Sequence, residues 1–154
     1  MADGRDVIAA LERMKQSHLT MHHAVARRLD INPTDAEAIA HLVADEPLTQ
    51  ESLRARLLIS KSAMTALVDR LERSGFLVRH ANPADRRSTL LTVSGFARQG
   101  WHNGTAKVVD AIGPVAAALG PDAAAVVAEF LDRVTELQLG LADEVMRFRL
   151  EARE

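Results

Sequence analysis

The stretch LTQESLRARLLISKSAMTALVDRLERSGFLVRHANPADRRSTLLTVS, residues 48–94, changes its hydrophobic period partway along. In its first half, Met64, Leu67, Val68 and Leu71 recur at intervals of three and four, so they share one helix face that must be buried. Ser62, Thr65, Ala66, Asp69, Arg70 and Arg73 are left facing outward. Ser60 is placed to cap this helix, its hydroxyl accepting from a first-turn N–H, and Gly75 is a stop after the last periodic residue. A shorter helix, roughly Thr49 to Leu57, precedes it.

After Gly75 the period shortens. Phe76, Leu77 and Val78 form an apolar run of strand formers, Asn82-Pro83 marks a turn, and Ser88 to Val93 returns as a second run. The two strands make a hairpin joined by Ala81 to Arg87, with Arg86 and Arg87 at its tip. Asp85, just before them, would repel phosphate if it pointed outward, so it reads as an internal brace pairing with one of the arginines. Helix, tight turn, helix and arginine-tipped hairpin together spell a winged helix-turn-helix, a device for reading duplex DNA. Lys61, Ser62 and Thr65 occupy the exposed first turn, where short hydroxyls and one cation suit phosphates and base edges in a major groove. Thr49 and Gln50 stand at the start of the preceding helix, whose N–H groups and dipole favour a phosphate. A guanidinium at the wing tip suits the negative potential of a narrow minor groove. The expected DNA contacts are therefore Thr49, Gln50, Ser60, Lys61, Ser62, Thr65, Arg70, Arg73, Arg86 and Arg87.

These residues resemble the MarR family of transcriptional regulators. The likeness rests on INPTDAEAIAHL at 31–42, LTQESL at 48–53, LLISKSAMTALVDRLERSGFLVR at 57–79 and NPADRRSTLLTVS at 82–94. It implies a homodimeric repressor on a pseudo-palindromic operator, often responsive to a small aromatic or anionic ligand. Three positions depart from the family pattern: Leu58 stands where the turn usually has glycine, Arg54 where a small residue is usual, and Ala66 where an arginine is common. A leucine can hold that turn only by avoiding positive φ or tolerating it at some cost. With Ala66 in place, base readout rests more on Lys61, Ser62 and Thr65. The next helix opens either at Leu91-Thr92 or, without gaps, at Val93-Ser94; the gapless register is favoured, with Ser94 as N-cap.

The net charge is −2 over 154 residues, an unpromising total for a DNA partner, but its distribution matters more. Residues 49–87 hold eight basic and four acidic side chains, a surplus of +4, and the remainder carries −6. Aromatic residues are scarce at 3%, which argues against single-strand or RNA binding by base stacking. Cysteine is absent, so no disulfide, thiolate metal site or thiol-based oxidant sensing is available. With no signal peptide and no apolar run near ~18 residues, a cytoplasmic protein with no membrane partner is expected.

The flanks read as helical. Val7, Leu11, Met14, His18, Met21 and Val25 make an apolar stripe along a first helix of roughly Asp6 to Asp30, and Pro33, capped by Asn32 or Thr34, opens a second helix to Ala44. Ser94 to about Ile112 and Asp122 to about Leu150 read as two more, separated by Gly113-Pro114 and Gly120-Pro121. The expected architecture is mainly α with a small β-hairpin wing: a winged helix-turn-helix lobe at 31–94 and long dimerisation helices at 1–30 and 95–154. Val7 and Leu11, with Phe130, Val134, Leu137, Leu141, Val145 and Phe148 of the last helix, are the candidate dimer interface. A two-fold dimer would offer recognition helices to successive major grooves.

A ligand cleft between the lobes would draw on His18, Met21, His22, Ile39, His41 and Trp101, with His102 a further candidate; Trp101 offers a flat apolar wall and the histidines a hydrogen bond or charge. Alternatively Trp101 is a core anchor and the histidines are surface residues. His18 and His22 share a helix face at i and i+4, yet two imidazoles without a third ligand, a thiolate or an HExxH pattern make no metal site, and neither metal nor cofactor is expected. The chain has no phosphate-binding glycine loop, nucleophile elbow or cysteine nucleophile, so an enzyme is not expected. The rival reading is a winged-helix dimer working through protein contacts, as an adaptor or anti-repressor would.

Overall fold

A computed structural model of the protein describes residues 3–151; the side chains of Asp143 and residues 146–151 lie outside that description. In chain order the elements are α1 (Gly4–Leu29), α2 (Pro33–Ala44), β1 (Leu48–Thr49), α3 (Gln50–Leu57), α4 (Lys61–Arg73), β2 (Leu77–Ala81), β3 (Thr89–Val93), α5 (Gly95–Ala117) and α6 (Gly120–Glu151). The mainly α class with a β wing is therefore observed, with one strand the sequence did not suggest.

Local chemistry explains most boundaries. Asp3 and Asp6 close a capping box at the start of α1, and Asp30 ends it in a left-handed conformation. Asn32 caps α2 with Pro33 at its first turn, and Ser60 caps α4, its hydroxyl accepting from Ala63 N at 3.2 Å. Ser94 caps α5, accepting from Ala97 N at 3.1 Å, as the gapless register requires. The first wing strand starts one residue later and ends three later than the expected 76–78, at 77–81; the second starts one later, at 89, and ends at Val93 as expected, and the two pair from Leu77↔Val93 to Ala81↔Thr89. The unexpected β1 supplies a third, edge strand through Leu48↔Leu91 and Thr49↔Leu90, giving the order β1-β3-β2. Two residues are too short for a period-2 pattern to be read from sequence.

A second correction concerns α5. It does not stop at Ile112 but runs through Gly113-Pro114 to Ala117. Pro114 lies in its last turn, where it forfeits the N–H bond to the Asp110 carbonyl without ending the helix, and the chain turns instead at Gly120, φ +71.

The contacts fall into two compact units, Met1–Thr105 and Ala106–Glu154. The first has one core, built from Leu42 of α2, Leu53 of α3, Met64, Leu67, Val68 and Leu71 of α4, and Leu77, Leu91 and Val93 of the sheet. That core reaches beyond 31–94, because Val25 and Ala26 of α1 and Ala97 and Trp101 of α5 are buried in it. Gly100 and Gly104 of α5 allow this approach: a Cβ would lie 3.1 Å from Leu29 Cδ2 at the first and 3.7 Å from Val25 Cγ2 at the second. The earlier part of the α1 stripe finds no such cover, with Val7, Met14 and Met21 exposed and Leu11 partly so. In the second unit the apolar side chains of α6 are nearly all exposed: Leu137 is 65% and Val145 67% exposed, Phe130 and Leu141 are also open, and Val134 is half-buried. Phe148 falls among the side chains not described. No helix of the described residues is long and apolar enough to cross a membrane.

Candidate nucleic-acid interface

The turn between α3 and α4 sets the angle of the recognition helix, and it is held in an unusual way. Leu58 takes the left-handed conformation, φ 52 and ψ 36, so it tolerates positive φ rather than avoiding it. For a non-glycine residue that conformation costs on the order of 1–2 kcal/mol. Arg54 spans the turn: its Nη1 donates to the Ile59 carbonyl at 3.2 Å, while Nε and Nη2 donate to Glu51 at 3.0 and 2.5 Å. That mutual hydrogen bond holds the Glu51 carboxyl below its ordinary range and the Arg54 guanidinium above its own.

At the start of α4, Lys61, Ser62 and Thr65 are exposed on one turn, as the sequence predicts. Thr65 Oγ1 donates to the Lys61 carbonyl at 3.1 Å, which leaves its lone pairs outward as acceptors. Ser60 and Thr49 have capping roles that limit them as readers: each hydroxyl accepts a backbone N–H, from Ala63 at 3.2 Å and from Ser52 at 3.0 Å. Their helix N-termini still present N–H groups toward an anion.

The wing loop, residues 82–88, is tied by Asn82, whose Nδ2 donates to Ser88 Oγ at 2.7 Å and whose Oδ1 accepts from Ala84 N at 3.0 Å. Asp85 is a brace, but by a different bond from the expected ion pair. Its Oδ1 accepts the Arg87 backbone N–H at 3.0 Å, while the Arg87 guanidinium is 4.0 Å away and its side chain is 98% exposed. The carboxylate therefore shapes the loop and leaves the guanidinium in solvent. Thr49, Gln50, Lys61, Asn82 and Arg87 line one groove of about 520 Å³ between wing and helices, so the fold brings residues from three separate segments onto one face.

Several arginines of this segment are engaged by carboxylates of the same chain. Arg70, an expected DNA contact, is half-exposed but paired: its Nε and Nη2 donate to the two oxygens of Asp35 at 2.7 and 2.5 Å. Asp35, in the first turn of α2, is 2% exposed and also accepts from Asn32 Nδ2 at 2.9 Å, so α4 is tied to α2 by a buried carboxylate. No sequence spacing could reveal this, because the partners are 35 residues apart. Arg79 pairs with Asp69 and, at 3.2 Å, with Glu72, tying β2 to α4; Arg56 pairs with Asp45 at 2.5 Å. The basic residues of 49–87 in no close ion pair among the described residues are Lys61, Arg73, Arg86 and Arg87. Arg73 lies at the far end of α4, about 18 Å along the axis from Lys61.

The ligand cleft does not form as expected. Ile39 is 1% exposed and Trp101 8%, both packed in the core. His22 leans edge-on against Trp101 with ring centroids 6.1 Å apart, and His18 stands 4.5 Å from His22. Burial pushes His22 below the ordinary histidine value, with His18 adding to the effect; burial likewise lowers His41. Met21 is exposed. A cleft of about 380 Å³ does open nearby, lined by Val43, Arg98, Gln99, Trp101, His102 and Thr105, of which Trp101 and His102 are among the sequence candidates. Arg98 is also ion-paired with Glu46, whose Oε2 accepts Val93 N at 2.7 Å. Among the described residues no group of three histidine or carboxylate side chains is placed to share a metal ion.

Residues 29–88 match the MarR family model. An uncharacterized HTH-type transcriptional regulator of Bacillus subtilis, YcgE, is 37% identical over 70 residues, 46% of either chain, so the match spans about half the length of that relative. Among solved structures, the transcriptional regulator Tm0710 from Thermotoga maritima superposes with a TM-score of 0.64 at 22% identity, covering 86% of this chain and 94% of that one. NadR in complex with 4-hydroxyphenylacetate superposes with a TM-score of 0.64 at 16% identity, covering 87% and 95%. At these identities the structural likeness speaks for the fold.

Proposed function

We infer that this chain, whose winged-helix lobe belongs to the MarR family, is a transcriptional regulator that binds duplex DNA as a homodimer, reading a pseudo-palindromic operator and acting as a ligand-responsive repressor in the cytoplasm. The observation that carries the reading is the convergence of Lys61, Thr49, Gln50 and Arg87 on one groove, with Ser62 and Thr65 exposed beside Lys61. Hydroxyls and a lysine at a helix start read a major groove, and exposed wing guanidiniums suit phosphates or the adjacent minor groove. Base discrimination falls to Lys61, Ser62 and Thr65, since Ala66 offers only a methyl.

Dimerisation is supported by the apolar faces of α1 and α6 that the single chain leaves open, Val7, Leu137, Leu141 and Val145 among them. Exposed apolar surface of that extent favours a partner, and a second copy is self-complementary across a two-fold axis. Two recognition helices about 34 Å apart would then meet successive major grooves. The ligand part of the proposal moves from the expected histidine set to the cleft beside Trp101, where the indole and His102 would favour a small planar aromatic ligand. The phenolic acid in NadR is of that class.

Footprinting on DNA upstream of the chain's own coding sequence tests the main reading. The expected result is protection of two half-sites about one helical turn apart. Retention of no fragment above non-specific competitor at moderate salt would favour the adaptor reading, to which the carboxylate-paired arginines lend some support.

A further inference from the structure

We propose that Arg54 is a positioning residue that holds the recognition helix α4 at its angle to α3, and is not itself a phosphate contact. Its consequence rests on the DNA-binding reading above; its mechanism rests on the turn. Leu58 closes α3 at φ 52, a conformation its Cβ disfavours. Only Leu58, Ile59 and Ser60 separate the two helices, and relaxing Leu58 to the right-handed region would rotate φ by roughly 110°, against the core packing of α4 and its ties to α2 and β2. Within the turn itself the Leu58 side chain offers no restraint, for it is 51% exposed.

Arg54 supplies the restraint. One edge of its guanidinium is fixed by Glu51, at 3.0 and 2.5 Å, and the other reaches the carbonyl of Ile59, the residue just after the strained one, at 3.2 Å. A lysine would carry the charge without the planar fork that bridges both acceptors. The same contact masks Glu51, a carboxylate lining the groove that phosphate must approach. Glycine at 58 would need no such brace, so this chain's two departures from the usual turn, Leu58 and Arg54, form one device.

Four proteins decide it: wild type, Arg54→Ala, Leu58→Gly and the double variant, titrated by fluorescence anisotropy against a labelled duplex from upstream of the coding sequence, over a salt series. Arg54→Ala should weaken binding on the order of tenfold, the worth of one charge-assisted hydrogen bond. Leu58→Gly alone should stay near wild type, and in the double variant it should restore most of the loss, because glycine takes the turn unaided. The slope of log affinity against log salt should be common to all four. A double variant no tighter than Arg54→Ala, or a dimer slope shallower by about 1.8 on losing Arg54 from both protomers, would overturn the proposal, the latter by assigning Arg54 to a phosphate. Should Arg54→Ala not fold, Arg54→Met keeps the aliphatic stem and takes its place. If wild type retains no duplex, the DNA-binding reading fails, and melting temperatures of the same proteins judge the turn: Leu58→Gly should stabilise the Arg54→Ala background more than it stabilises wild type, and additive shifts would refute the device.

Discussion

Substituting the two partners of the α2–α4 latch should give unequal losses, because they are unequally buried. The Asp35 carboxylate is 2% exposed and accepts Arg70 at 2.7 and 2.5 Å and Asn32 at 2.9 Å, whereas the Arg70 side chain is 46% exposed. Arg70→Ala leaves a buried anion with a single amide donor, an arrangement that costs about 3 kcal/mol. Asp35→Ala frees a guanidinium that can turn into water, and loses a first-turn carboxylate favourable to the dipole of α2, for about 1–2 kcal/mol. Once the carboxylate is gone the arginine has little left to do, so the double variant should be about as stable as Asp35→Ala alone. Urea unfolding followed by far-UV circular dichroism at one protomer concentration reads these differences as midpoint shifts at constant slope. On DNA, folded Arg70→Ala should keep the wild-type salt slope, while Arg87→Ala, which removes a wing cation from the groove of each protomer, should lower the dimer slope by about 1.8. Equal losses below ~0.5 kcal/mol, or a shallower slope on losing Arg70, would refute the latch and return Arg70 to the phosphate backbone.

The charge distribution makes a related prediction: four free cations per protomer give a dimer salt slope of about −7, whereas eight would give about −14, and a filter-binding salt series separates the two. Trp101→Ala should destabilise by about 3 kcal/mol and lower the melting temperature by roughly 10 °C, since the side chain is a core anchor; a near-neutral change would make it a cleft wall instead. His22 and His41 are lowered in the folded state, so between their folded values and about pH 6.5 the unfolded chain binds more protons and stability rises with pH. Their contribution is present above about pH 6.5 and lost as pH falls through the folded values. A His22→Gln, His41→Gln double variant should therefore show a flatter decline in melting temperature from pH 6.5 to 5 than wild type.

The elements of the lobe were legible because each carries its own local signal. A 3.6-residue period with Ser60 before it and Gly75 after it leaves little but a helix for α4, and Asn82-Pro83 between two β-rich runs leaves little but a hairpin. The exposed readers Lys61, Ser62 and Thr65 followed from the same periodicity, since whatever is off the buried face is outside. Ala66 and Leu58 were visible as departures, but the consequence of Leu58 was not: a sequence can say that leucine is costly at positive φ, and cannot say that Arg54 reaches across to hold the turn. Pro114 misled for the opposite reason, because its local cost is real and yet α5 continues for three residues beyond it.

Periodicity, caps and turn residues depend on neighbours a few positions apart, so the sequence by itself determined the helices, the wing and which side chains of α4 face outward. The fate of these arginines depended on partners brought from 7 to 52 residues away, and only the tertiary structure decided it. Asp35 claims Arg70, Asp69 and Glu72 claim Arg79, Asp45 claims Arg56, and the residual positive face narrows to Lys61, Arg73, Arg86 and Arg87. A charge count along the chain cannot distinguish a cation offered to DNA from one already neutralised, because pairing falls off with distance in space and not with separation in sequence.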